Sequence, residues 1–200
     1  MEKASRGTSL KIAACLLVAV FAQTTLVRLA PEAIGQWLAY IDWLLVVVVY
    51  VCLGRDPVQA LVTAVAAGLL HDAFSRGSAN GVETAFGVSG FAYVLSAYIA
   101  DRIVSVIVAD TLLVRFATVA SASLVNTLIR YAFYKLLKFK LPVLIGGKGL
   151  AAAIVFGLVT NLIAATLLYL LLDRLFSKDS ALRVRRSEAR RGKNWFRSSR

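Results

Sequence analysis

The chain has 200 residues, of which 59% are hydrophobic and 17% charged, with a mean hydropathy of +0.74. A water-soluble domain carries about 45–50% apolar and about 25% charged residues, so this composition excludes one and indicates an integral membrane protein. The net charge of +12 lies mostly at the chain ends, where it sets orientation rather than fold.

Six membrane spans are predicted, several of them near the roughly 20 residues that cross a bilayer. The first, Leu10–Leu29, follows Lys3, Arg6 and Lys11. A basic start and an apolar centre resemble a signal peptide, but the apolar stretch continues past Thr24, which favours an uncleaved span. The second, Trp37–Leu53, leads into the tight turn "GRDP", Gly54–Pro57, with Pro57 at a first helical position. The third, Val58–Leu70, is short for a span and reads as re-entrant or steeply packed. It ends in "GLLHDAF", Gly68–Phe74, which holds His71, the only histidine of the chain.

"SRGSANG", Ser75–Gly81, reads as a loop, and Glu83–Ala100 as the fourth span. "DRIVSVIVAD", Asp101–Asp110, reads as an inside connection. The fifth and sixth spans are Leu112–Tyr134 and Gly149–Leu172. Between them "KFKLPVLIGGKG" is expected on the outer membrane surface. After Asp173 the tail holds ten Lys or Arg against Asp179 and Glu188, a net +8. The expected division is a helix bundle over 1–173 and a basic cytoplasmic tail over 174–200. Basic residues at both ends put both termini in the cytoplasm. Lys135, Lys138, Lys140 and Lys148 around the fifth-to-sixth connection oppose that orientation.

Residues at i and i+4 share one helix face. Ala60, Ala64 and Gly68 form such a line of small residues, with Asp72 as its next step. Ala92, Ser96 and Ala100 form another, and Gly149, Ala153, Gly157, Asn161 and Ala165 a longer one. In lipid, small residues and interhelical hydrogen bonds drive helix association, so these lines read as contact faces, either within the bundle or toward a partner. Asn126 and Arg130, one turn apart, and Asn161 are polar residues within apolar sequence, and such residues face the bundle interior. Asn126 pairing with Asn161 is one expectation. Asp42 and Asp72 fall near the outer ends of their helices, with Arg28 or Arg76 as candidate counter-charges.

The chemical alternatives are weak. A metal hydrolase needs further ligands beside His71 and Asp72, and this chain has no second histidine. "GVSGF", Gly87–Phe91, is not a G-x-S-x-G nucleophile elbow, and "IGGKGL", Ile145–Leu150, is not a phosphate-binding loop. No cofactor is expected, and Cys15 and Cys52 read as small apolar fillers. The basic tail, with Arg183, Arg185, Arg186, Arg190, Arg191 and Lys193, suits anionic lipid, at about 1 kcal/mol per basic residue, better than nucleic acid.

The block "GRDPVQALVTAVAAGLLHDAFSRGSANGVETAFGVSGFAYVLSAYIADRI" resembles MreD, the rod shape-determining membrane protein family. The resemblance rests on a helix ending G-L-L-x-D (Gly68, Leu69, Leu70, Asp72), a loop glycine (Gly81), and then Ala85, Phe86 and Gly87. Asn161 in the last helix also matches. The resemblance implies an all-α polytopic bundle, similar in fold to the substrate-binding subunits of energy-coupling-factor vitamin transporters. It implies a bacterial inner-membrane location and a non-catalytic place in the cell-wall elongation complex. The implied partners are MreC, the MreB cytoskeleton, RodA and its class B penicillin-binding transpeptidase. The alternative is a vitamin-binding transporter subunit, for which Asp42, Trp43, Asn80 and Glu83 are candidate cavity residues.

Overall fold

The computed structural model describes residues 2–54, 56–75, 87–106, 112–137 and 149–195. All regular structure in them is helical: α1 (Glu2–Leu29), α2 (Glu32–Leu38), α3 (Trp43–Gly54), α4 (Pro57–Ser75), α5 (Val88–Val106), α6 (Leu112–Leu136) and α7 (Leu150–Trp195). Four stretches are long and apolar enough to cross a membrane: Gly7–Leu26, Pro57–Phe74, Leu112–Leu136 and Leu150–Phe176. The chain divides into two compact units, Met1–Ala165 and Thr166–Arg200.

The first and last helices extend beyond the expected spans, α1 from Glu2 and α7 to Trp195, and three further differences have a local cause. The expected second span is not one helix. Pro31 opens α2, its carbonyl accepting from the N–H of Ile34 and of Gly35. After Leu38 the chain tightens, with Tyr40 and Ile41 donating three residues back, and α3 starts only at Trp43. The twelve residues of α3 rise only about 18 Å, well short of a hydrocarbon core of about 30 Å. The expected short third span is, by contrast, a full helix of 19 residues. Asp56 accepts from the N–H of Ala60 and Pro57 follows it, so α4 begins at once and runs to Ser75. Finally, α5 continues past Ala100 to Val106, so the first part of the expected inside connection is helix. There Arg102 lies 5.0 Å from the centre of the Tyr98 ring.

In the first unit α3 touches α1, α4, α5 and α6, while α5 packs against both α4 and α6. Leu44 through Val49, Val51 and Cys52 are all buried. A helix that is apolar all round belongs in the centre of a bundle, and α3 is that centre. Phe156 of α7 packs against Trp37 and Tyr40, ring centroids 5.1 and 5.5 Å apart. Leu17, Phe21, Val62, Val155 and Ile163 point outward, as surfaces solvated by hydrocarbon do.

The three small-residue lines all turn inward. Ala60, Ala64, Ala92, Ser96, Ala100, Ala153 and Ala165 are buried. A Cβ placed on Gly68 would collide with the Gly90 Cα of α5, so α4 and α5 touch backbone to backbone. Four threonine hydroxyls inside the helices are satisfied locally: Thr63, Thr118, Thr127 and Thr160 each donate to the carbonyl one turn back, which leaves none of these hydroxyls unpaired where water is absent. Both cysteines are free thiols, and that of Cys52 contacts the Ala97 carbonyl at 3.7 Å.

Candidate functional site

The break between α2 and α3 delivers a carboxylate into the bundle. Asp42 is buried and caps α3: its Oδ1 accepts from the Leu45 N–H at 3.0 Å, and its carbonyl accepts from Val46. A side-chain acceptor at this position satisfies one of the orphan donors of a helix start, and the positive end of the helix favours the negative charge. Other helices supply the remaining partners. The Tyr93 hydroxyl of α5 donates to Oδ1 at 2.5 Å. The Asn126 amide of α6 donates to Oδ2 at 3.1 Å. The Asp42 N–H donates to Asn161 Oδ1 of α7 at 2.8 Å, and Asn161 Nδ2 donates to the Ser123 hydroxyl at 2.9 Å. Asn126 and Asn161 thus meet through Asp42, not by pairing with each other, which corrects that expectation.

Arg130 extends the cluster. Its Nη1 lies 3.7 Å from Asp42 Oδ2, so α6 brings a cation to face this acid; Arg76 lies outside the described residues. Its Nη2 lies 3.1 Å from His71 Nε2. The His71 ring stands edge-on to Tyr93, and its Nδ1 lies 3.7 Å from Asp72 Oδ1. Asp72 in turn accepts from the Gly87 N–H at 2.7 Å and from the Ser89 hydroxyl, so it secures the start of α5. Gly87 holds a φ of +94°, a region in which a side chain is strained. The G-L-L-x-D block is therefore a joint: Gly68 lets α5 approach, and Asp72 binds its first turn.

The cluster thus draws on α3, α4, α5, α6 and α7. It lies toward the end of the bundle where α4 finishes and α5 begins. Asn161 stands eleven residues into α7, about 16 Å along its axis, within the apolar stretch Leu150–Phe176. Asn126 Oδ1 is buried with no partner among the described residues.

The other candidate residues fall as follows. Gly149 has a φ of +82° and caps α7, its carbonyl accepting from Ala153. Gly157 differs from Gly68: a Cβ there would meet nothing within 4 Å. Gly81, Ala85 and Phe86 lie outside the described residues, as do Asn80 and Glu83. Arg183, Arg185, Arg186, Arg190, Arg191 and Lys193 lie on the helical backbone of α7, and their side chains are outside the description. For a vitamin site the two testable residues were Asp42 and Trp43, and Asp42 is held inside the bundle by five polar groups. Tyr93 and Ser123 are the members that sequence reasoning missed. A tyrosine and a serine in apolar helices carry no spacing signal of their own.

Chemically, this arrangement fastens helices. The Ser123 hydroxyl accepts from Asn161, and Ser96 donates to the Ala122 carbonyl. Among the described residues no three His, Cys, Asp or Glu side chains gather as a metal site would require. Compared with models of protein families, residues 9–178 match the family described as rod shape-determining protein MreD. No curated protein and no solved structure matches the chain.

Proposed function

The chain belongs to the MreD family of rod shape-determining proteins, and from that premise we propose that it is a non-catalytic scaffold of the bacterial cell-wall elongation complex. It holds MreC in the inner membrane and helps to position RodA, its transpeptidase and the MreB cytoskeleton. Both termini lie in the cytoplasm. The basic tail rests on anionic lipid, which suits its net +8.

The observation that carries this reading is the Asp42 cluster. The polar side chains inside the bundle bind one another across helices, and that is what a rigid support needs. The small-residue lines are buried inside as well, so partners meet the outward helix faces. The test is depletion of the protein in its rod-shaped host. Cells are expected to round up without any vitamin requirement, and MreC is expected to co-purify with the tagged protein. Rescue of shape by a supplemented vitamin would overturn the reading and favour a transporter subunit.

A further inference from the structure

We propose that the Asp42 cluster binds one ordered water between Arg130, Asn126 and Asp42, and that this water completes the tie between α6 and α3. Two observations meet at a single atom, Asp42 Oδ2. The Asn126 amide nitrogen donates to it at 3.1 Å. Reversing that amide would set its oxygen against the carboxylate, where neither can donate, so the orientation is fixed. Asn126 Oδ1 is then left buried and without a partner among the described residues, and an unmet acceptor inside a membrane is costly. Arg130 Nη1 stands 3.7 Å from the same Oδ2. That separation is too long for a direct hydrogen bond, and polar gaps of this width are where water bridges.

The chemistry of the three groups selects the occupant. A guanidinium only donates, whereas a carboxylate and an amide oxygen only accept. The bound group must therefore accept one hydrogen bond and donate two. Water does so, and three is the usual number of bonds for a buried water. A metal cation cannot accept from Nη1–H and is repelled by the guanidinium. A simple anion cannot donate to Asn126 Oδ1 and is repelled by Asp42. The site is also reachable. Asp42 and Asn126 are buried, but Arg130 keeps 18% of its side chain exposed. It stands six residues before the end of α6 at Leu136, about 9 Å along the axis. The guanidinium thus links the inner polar groups to the end of the helix, and water enters along it. The ion pair between α6 and α3 is a hydrated one, closed by the same molecule that satisfies Asn126.

The test is a crystal structure of the full chain, grown in a lipid mesophase, at a resolution that shows ordered waters. One peak is expected within about 2.5–3.2 Å of Arg130 Nη1, Asn126 Oδ1 and Asp42 Oδ2. It should keep its height when the sodium in the crystals is replaced by rubidium, whose many electrons would reveal a bound cation. In Asn126→Leu, which removes the unmet oxygen, the peak should be lost and Arg130 should close directly on Asp42. An empty gap in the wild type, Nη1 bonded directly to Oδ2, or a protein donor on Asn126 Oδ1 would overturn the proposal. So would a peak that grows with rubidium or one that persists in Asn126→Leu. If Asn126→Leu does not fold, the wild-type peak and the rubidium exchange decide it alone.

Discussion

Asp42 and Gly68 show how single side chains carry this bundle. Replacing Asp42 by Ala removes the α3 cap and leaves Arg130 without its anion. Breaking a buried ion pair from one side costs about 3–5 kcal/mol. Thermal unfolding in one detergent should show that loss, and an Asp42→Asn variant, which keeps a capping oxygen, should fall between Ala and wild type. The two glycines form a sharper pair. Gly68→Ala drives a Cβ into the α5 backbone, so the helices must part, at about 1–3 kcal/mol for overpacking. Gly157→Ala meets open space and should be neutral or stabilising by up to about 1 kcal/mol through helix propensity. Equal losses at both positions would contradict the packing described. The sequence places both glycines on small-residue faces and cannot distinguish them, because the distinction depends on what stands opposite. Arg130 and Asn126 were readable as one inward face from their spacing. Their meeting with Asp42, 84 residues from Asn126, was not.

Among the elements, α3 is the least like its sequence. The apolar run from Trp37 to Leu53 has the length of a span, and hydropathy alone joins it. The local signal against that was present: an acid immediately before a continuous apolar run marks a helix start. The acid tolerates its depth because three other helices bring it hydrogen bonds, and those contacts are not local. The opposite error at α4 came from stopping the helix at the first polar pair, His71–Asp72, which in fact lies within its last turns. Amide hydrogen exchange should reproduce this hierarchy. The amides of Leu45 to Cys52, buried on all sides, should exchange slowest. Amides around Tyr40 and Ile41, at the break, should exchange markedly faster than those on either side, since cooperative protection follows burial and regular bonding. Uniform protection from Trp37 to Leu53 would restore the single span and remove the basis of the Asp42 cap.

For the whole molecule, composition alone indicated the membrane and the helical class, because hydrocarbon leaves few alternatives to helices. The G-L-L-x-D block pointed to the family, and its structural meaning, a joint between α4 and α5, needed the coordinates. The central claim is that the buried polar groups assemble a support and perform no reaction. The double variant Asp42→Asn with Arg130→Gln tests it most directly. It removes the carboxylate and the guanidinium together while leaving hydrogen-bonding side chains of similar size. Asn126, whose Oδ1 has no partner among the described residues, can turn its amide to accept from the new Asn. Expressed in cells depleted of the wild-type chain, the folded variant should keep them rod-shaped and should co-purify with MreC. Round cells despite a normally folded, membrane-inserted variant would contradict the account, since the lost charges would then serve more than assembly.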